Sequence, residues 1–492
     1  MDIWAFYKIN VFHWHLTDNP AWRIECKAYP QLNDPQFQQQ GRDAGKFYTY
    51  DEIRDLIKYA GDRNITVIPE IDVPGHSAYF GKTFGFKMET PPGMDVLEKC
   101  LNEFFSEIKA EDCPYFHLGS DEVHINNVSE FIARMENIVL KHNRTPIVWN
   151  PGLPASTATI QQLWQESTIV SLKENSQKQP VSLVIDATMG YVNNFDPLIL
   201  YRRIFLRPPC NRSEGDKTAL GGILCCWPDV RVDDKNNIFR HNPVYPSLLA
   251  FAERYWNGGK IEDIAAAENS PEINTPAWFA LHDFERRTVK HRSGFLKEEA
   301  FPWYANSDIC WNISEYADTL KWHKCFGGSV DLETFLSSGK LPKKDTATVY
   351  ATTNIFSDRA QMVPCWIGFE APHRSNRRSA GIPEQGKWDG NGGNIWINGK
   401  AVTPPVWEAP GKYRFLFATW SRPEAEIPFT DEEFYWCRKP VEISLNKGWN
   451  KVLIKVPKSF PDQNWTFTFV PLEKAGGKYT EAKNLRFSLL VI

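Results

Sequence analysis

The 492-residue chain contains no apolar run approaching about 18 residues, so no membrane-spanning helix is expected. It has no excess of basic charge. The formal net charge is −4, and no Lys/Arg stripe offers itself to phosphates, which excludes nucleic acid as an expected partner. Its ten Cys (26, 100, 113, 210, 225, 226, 310, 325, 365 and 437) lack the paired spacing of a zinc site or a dense disulfide framework, and they read as buried thiols. The opening Met1-Asp-Ile-Trp-Ala-Phe-Tyr-Lys has no charged segment followed by an apolar one. No secretion signal is therefore read there, and the compartment stays unassigned: periplasmic or extracellular if a leader lies upstream, otherwise cytoplasmic. No internal repeat or low-complexity tract breaks the chain.

What is present is aromatic. With 19 Trp and 31 Phe, the composition suits either sugar-stacking faces or large cores, and the length predicts two or three domains. From residue 8 to about 258, short apolar runs alternate with helical patterns, which predicts a parallel sheet or barrel. Strands are expected at Lys8 to Leu16, Ile65 to Ile71, Tyr115 to Gly119, Pro146 to Asn150, Thr159 to Trp164, Val181 to Ala187 and Gly222 to Trp227. These number seven, against the eight of a closed (β/α)8 barrel. Thr49-x-x-Glu52 predicts a capping box ahead of a helix bearing Ile53, Leu56, Ile57 and Ala60 on one face. Beyond about residue 297 the helical period gives way to short strands and turn signals, including an Asn398-Gly399 hairpin. The fold expected is α/β: a TIM barrel over 1–296, then an all-β sandwich over 297–492. The tail's 11 Trp read as sandwich core. Arg374-Ser-Asn-Arg-Arg-Ser379 and 386–393 read as mobile polar loops edging a binding face.

The chemistry gathers at three strand ends: His13-Trp-His15-Leu-Thr-Asp18, then Pro69-Glu-Ile-Asp72-Val-Pro-Gly75-His76, then His117-Leu-Gly-Ser-Asp121-Glu122. Neighbouring strand residues face opposite ways, so Asp121 and Glu122 share a pocket only where the strand turns into its loop. Barrel enzymes keep their reacting groups there. A lone Asp-Glu pair more often starts a helix, and it is the two companion clusters that favour chemistry. His13 and His15 alternate onto one strand face, which keeps a metal-dependent barrel hydrolase as a rival reading. No late-strand His completes such a centre.

The three runs, with Trp22-Arg23 after the first, resemble family 20 glycoside hydrolases, the β-N-acetylhexosaminidases. The likeness continues through Trp149, Trp164, Tyr191 and Trp227 to Glu253-Arg254, about residues 1 to 258. It implies exo-acting removal of terminal β-linked GlcNAc or GalNAc with retention, no cofactor and no metal. It also implies that the substrate's own acetamido oxygen is the nucleophile, an exception to the paired-carboxylate rule. By that resemblance Glu122 is the acid/base and Asp121 steadies the oxazolinium-like intermediate. Asp18 and His76 set the protonation of Glu122, and His15, Asp72 and His117 support them. Trp149, Trp164, Tyr191, Asn193, Trp227 and Asp229 would bind the sugar.

Members of that family open with a small α/β domain and a first barrel strand ending in a sugar-binding Arg, and by the resemblance this sequence is expected to lack all three, so that upstream sequence is missing, another segment fills the gap or activity is impaired. A binding homologue without catalysis is therefore a second rival. Three positions depart from the family pattern: Ser120 replaces a usual Gly, Tyr191-Val-Asn193 stands for Tyr-Leu-Asp, and Trp227-Pro-Asp229 stands for Trp-x-Glu. The tail resembles galactose-binding-like sandwiches only through short turns at 396–400 and 445–455.

Overall fold

A computed structural model describes residues 1–165, 182–212, 215–258, 274–295, 308–316, 322–337, 345–418 and 427–490. Two compact units emerge, one comprising 1–190 with 209–223 and the other 191–208 with 224–492. Val181, the expected first residue of one strand, lies outside the described residues, as does the expected domain boundary near 297.

The first unit is built on seven parallel strands paired in chain order: β1 (Val11–His15), β2 (Thr66–Glu70), β3 (Tyr115–His117), β4 (Thr145–Asn150), β5 (Ile160–Leu163), β6 (Val184–Asp186) and β7 (Ala219–Gly222). This is the sheet of a TIM-type β/α fold, with β1 and β7 at the two ends of the path. A short helix, α1 (Asp2–Phe6), precedes β1, and Lys8 at φ 64° turns the chain out of it, so β1 starts later than the apolar run suggested. Helix α2 (Tyr50–Gly61) has the expected capping box: Thr49 Oγ1 accepts from the Glu52 amide at 3.2 Å, and Glu52 accepts from the Thr49 amide at 2.8 Å. Its Tyr50, Ile53, Ile57 and Ala60 are buried. Helix α3 (Pro91–Glu107), capped by Thr90, buries Leu97, Leu101, Phe104 and Phe105. Phe104 and Phe105 meet Phe116 of β3 at ring separations of 5.5 and 4.9 Å.

The last strand corrects the sequence reading, which placed it at Gly222 to Trp227. A bulge leaves Leu220 without a partner opposite β6, and pairing ends at Gly222. Cys225 forms only an isolated parallel bridge with Tyr191, inside the second unit.

The second unit carries helices α4 (Pro197–Leu206), α5 (Val244–Asn257) and α6 (Pro276–Phe295) and two antiparallel sheets. Strands such as Ala347–Ser357, Gly448–Lys458 and Asn394–Ile397 form one sheet, while Gln361–Glu370 and Trp465–Ala475 lie in the other. Their apolar faces share one core, in which Trp311 meets Phe467 and Phe469 edge-on at 5.1 and 5.8 Å. Trp311, Trp366, Trp388, Trp407, Trp436 and Trp465 are buried, as the core reading expects. Asn398 and Gly399, at φ 52° and 77°, make the tight turn of the predicted hairpin.

The 374–379 segment is not the mobile polar loop its composition suggested. Arg374 and Arg377 are fully buried. Arg374 donates to the Val192 and Phe195 carbonyls and lies 5.3 Å from the Trp436 ring, while Arg377 pairs with Glu433 at 2.7 Å. Main-chain carbonyls, a carboxylate and aromatic faces compensate part of the two buried charges, while Arg374 Nε and Nη1 find no hydrogen-bond partner among the described residues.

Candidate active site

The strand register assembles the centre of the first unit. His15 lies beside Glu70, and Glu70 beside His117, so β1, β2 and β3 place the three in one row. Alternation then brings His13 to the same face as His15. Glu70 Oε2 sits 2.8 Å from His13 Nε2 and 2.6 Å from His15 Nδ1. Glu70 Oε1 accepts from the Trp149 indole at 2.8 Å and lies 3.3 Å from His117 Nδ1. His117 Nδ1 accepts from the Gly119 amide at 3.0 Å. Burial holds its imidazole down to about 4, against the pull of Glu70, so His117 is neutral with its proton on Nε2. Gln162 meets His13 Nδ1 at 3.2 Å from the opposite side.

A chain of contacts runs from this row to the acid pair. His15 Nε2 is 3.2 Å from Asp18 Oδ2, Asp18 Oδ1 is 3.3 Å from His76 Nδ1, and His76 Nε2 is 3.4 Å from Glu122 Oε2. Burial disfavours the charged form of His76, but Asp18 and Glu122 outweigh it and push the imidazole up to about 12. The reciprocal contact with His76 holds Glu122 below the usual carboxylate range. Glu122 is the open end of the chain, its side chain 57% exposed.

The loops that present these groups are conformationally demanding. His76, Gly119, Ser120 and Glu122 all adopt positive φ, at 46°, 65°, 79° and 48°. Such non-glycine conformations persist where surrounding contacts impose them, and they cluster at functional sites. A Cβ at Gly119 would stand 1.9 Å from Asp72 Oδ1, so only glycine fits. Ser120, where the family pattern has Gly, is accommodated by donating to the Val73 carbonyl at 2.9 Å, while its amide donates to Asp72 at 3.0 Å. Asp121 points one oxygen, Oδ1, into a buried position with no hydrogen-bond partner among the described residues. Burial raises its carboxyl to about 6, against the opposing effect of His76. Asp72 is raised by burial and by the charges of Asp121 and Glu70.

Of the expected sugar-binding residues, Trp149 and Trp164 belong to the first unit. Trp149 is buried, and Trp164 donates to the Pro151 carbonyl at 2.7 Å. The other four come together in the second unit. The Tyr191 and Trp227 rings lie 6.3 Å apart, and the buried Asn193 donates to Asp229 at 3.0 Å.

Among the described residues, three groups of side chains bring donor atoms within 4.8 Å of one another, the reach of a metal ion: His13, Glu70 and His117; Asp72, His76 and Asp121; and His241, Asp431 and Cys437 in the second unit. In the first group the Glu70 oxygens already face three imidazoles and an indole, which makes it a hydrogen-bonding centre. Glu70 and Gln162 are the two participants that the sequence reading did not single out. The available signal was alternation, since Glu70 stands two residues before Asp72 on the same strand face.

A parallel β/α sheet of the barrel type with acids and imidazoles at successive strand ends defines the class, one that carries groups suited to acid–base chemistry. Residues 1–86 match the catalytic domain of glycosyl hydrolase family 20. A β-hexosaminidase of Porphyromonas gingivalis is 28% identical over 326 residues, covering 54% of this chain and 41% of that protein. One of Vibrio furnissii is 53% identical over 85 residues, covering 15% and 14%. Among solved structures, the β-N-acetylhexosaminidase of Bacteroides fragilis aligns with a TM-score of 0.48 at 26% identity, covering 60% of this chain and 65% of that one. The chain spans less than half the length of these two curated relatives. The match to the family 20 catalytic domain thus falls on the opening part of the parallel-sheet region.

Proposed function

We propose that the protein is an exo-acting β-N-acetylhexosaminidase that removes terminal β-linked GlcNAc or GalNAc by a retaining, substrate-assisted route. The observation that carries this reading is the pairing of Asp121, a buried carboxyl with an open oxygen, with Glu122, a solvent-facing carboxyl tied to His76. Adjacent acids so differently placed suit two different tasks.

Glu122 protonates the glycosidic oxygen as the acetamido oxygen attacks C1 and the C1–O bond breaks. Asp121 accepts the acetamido N–H and offsets the positive charge of the resulting oxazolinium ion, an electrostatic and positional contribution made within the site. Glu122, now ionised, takes a proton from water, which attacks C1, opens the ring and restores the β-configuration. A bound sugar supplies the remaining requirement. By excluding water from Glu122 it favours the protonated acid over the ionised form that His76 favours in the free protein.

In the first unit Trp149 and Trp164 offer aromatic faces to an N-acetylhexosamine unit, and in the second Tyr191, Asn193, Trp227 and Asp229 are the residues assigned to sugar binding by the family likeness. The catalytic part is assigned to 1–296 and an accessory sandwich to 297–492.

The test is release of p-nitrophenol from its β-GlcNAc glycoside, with the first product followed by NMR. Turnover giving the β-anomer, abolished in Glu122→Gln, supports the reading. Binding of an oxazoline analogue without turnover would mean a binding protein, and activity lost on chelation of stoichiometric zinc would mean the metal-dependent rival.

A further inference from the structure

Glu70 poses a question that the proposed chemistry does not answer. Its side chain is 0% exposed and distant in contact from Glu122, with His15, Asp18 and His76 in between. Burying a carboxylate is costly unless charge and hydrogen bonds compensate it. Here the compensation is supplied by His13 and His15 on β1 and by the Trp149 indole on β4, while neutral His117 on β3 faces Glu70 without donating to it. The charge of Glu70 is also felt by the carboxyls of Asp72 and Asp121, each of which it raises. Burial works against ionised Glu70, yet its imidazole neighbours, His15 foremost, hold its carboxyl well below the usual range.

The geometry also fixes the charge of His15. Both of its ring nitrogens face carboxylate oxygens, Nδ1 toward Glu70 and Nε2 toward Asp18. A carboxylate offers no proton, so the ring must donate from both nitrogens and is an imidazolium. His76 stands in the same relation to Asp18 and Glu122. The row therefore alternates in sign: Glu70 negative, His15 positive, Asp18 negative, His76 positive, Glu122 at the end. The other oxygen of Glu70 fixes the indole of Trp149.

We propose that Glu70 is a positioning residue that sets two parts of the site at once. One oxygen keeps His15 cationic, so that Asp18 stays ionised and aimed at His76, and the other orients the aromatic wall through Trp149. This rests on the hexosaminidase reading for its kinetic consequence but not for its charge assignment.

Glu70→Gln preserves the side-chain shape and an oxygen acceptor while removing the charge. Histidine ¹⁵N NMR on the full chain, with His15 identified by its absence in His15→Gln, is expected to find the wild-type ring still doubly protonated at pH 8. In Glu70→Gln it should be neutral there, and in Glu122→Gln unchanged. In kinetics with the p-nitrophenyl substrate, Glu70→Gln should lower kcat by roughly 10- to 100-fold, as for other residues that orient a reacting group through a partner. KM should change little because the indole keeps its acceptor, and the pH profile of kcat/KM should shift. Trp149→Phe should do the reverse, raising KM with the His15 signal intact. A wild-type His15 that titrates near its ordinary 6.5 overturns the proposal even if the Glu70 variant fails to fold. Wild-type kcat and pH profile in Glu70→Gln overturn it as well. Absence of hexosaminidase turnover in the wild type would reject the functional reading alone, because the charge of His15 is measured without substrate.

Discussion

The parallel sheet and the sandwich bury their strands by the same alternation, yet they fill the buried side differently. In the sandwich strand Ala347–Ser357 the inward positions Val349, Ala351 and Ile355 are apolar and need no partner, with Thr353 and Ser357 the polar members of that row. On β1, β2 and β3 the corresponding row holds His13, His15, Glu70 and His117, each dependent on a specific neighbour. An apolar core loses stability by degrees when cut back, because its cost scales with lost contact and cavity volume. A polar row fails differently, since removing one member leaves another buried and unsatisfied. The contrast separates stability from chemistry: substitutions in the sandwich should affect folding and spare catalytic constants, and substitutions at the strand ends should do the opposite.

The sharpest break is expected at the acid pair. Glu122→Gln should lower kcat/KM on the p-nitrophenyl substrate by about 10³-fold, within the range for loss of a general acid. A thermal midpoint within a few degrees of wild type would show that the loss is chemical. The matching cut in the sandwich is Phe467→Ala. It should destabilise by about 3–5 kcal/mol in urea titration, with kcat and KM of the folded fraction unchanged. A large fall in kcat for that variant would erase the distinction between the two regions.

Asp121→Asn tests both sides of the comparison in one residue. The carboxyl rises from its ordinary 3.8 to about 6 in the fold, so the native state binds the proton more tightly than the unfolded chain. The sign follows from that. The contribution of this group to stability is greatest below about pH 4 and is lost as pH rises through about 6, because the buried group must ionise. Above pH 6 the wild type carries a penalty of about 3 kcal/mol that the neutral amide removes. The variant should thus unfold at higher urea than the wild type at pH 8, with the gap closing near pH 4, while turnover falls at least 100-fold. Equal activity would remove substrate assistance from the account.

How much of this was legible beforehand follows the range of each interaction. The Thr49–Glu52 box and the Asn398-Gly399 turn are local, and both read correctly from spacing. The three strand-end runs were also legible, because each is a short segment with its own chemistry. What joins them was not. His15 and Glu70 are 55 residues apart, Trp149 and Glu70 are 79 apart, and their contact depends on register, which no single segment encodes. The buried Arg374 was misread for the same reason, since its partners Val192 and Phe195 lie some 180 residues earlier. Composition marked a polar segment as surface, and long-range carbonyls made it core.

A milder effect is expected at His76, where the comparison can be sharpened by pH. The protonated imidazole lowers Glu122, so His76→Gln should return that carboxyl toward its ordinary value or above. The alkaline limb of kcat/KM, which requires protonated Glu122 in the free enzyme, should then move to higher pH. An unmoved limb would mean that some other group controls it.

The smallest effect is expected in the second unit, at the pair that departs from the family pattern. Asn193 is fully buried and donates its amide to Asp229 at 3.0 Å, so part of the capacity of that carboxylate is directed inward. Asp229→Asn retains an oxygen able to accept from Asn193 and loses only the charge. A neutral acceptor still bonds a sugar hydroxyl, though less strongly than a carboxylate does, because ionised partners make the stronger hydrogen bonds. The expected result is a rise in KM of about three- to tenfold with kcat unchanged, the pattern of a contact made equally in ground and transition states. A fall in kcat of comparable size would instead make Asp229 a contact that strengthens as the oxazolinium forms, and would give a chemical part to a residue assigned only to binding.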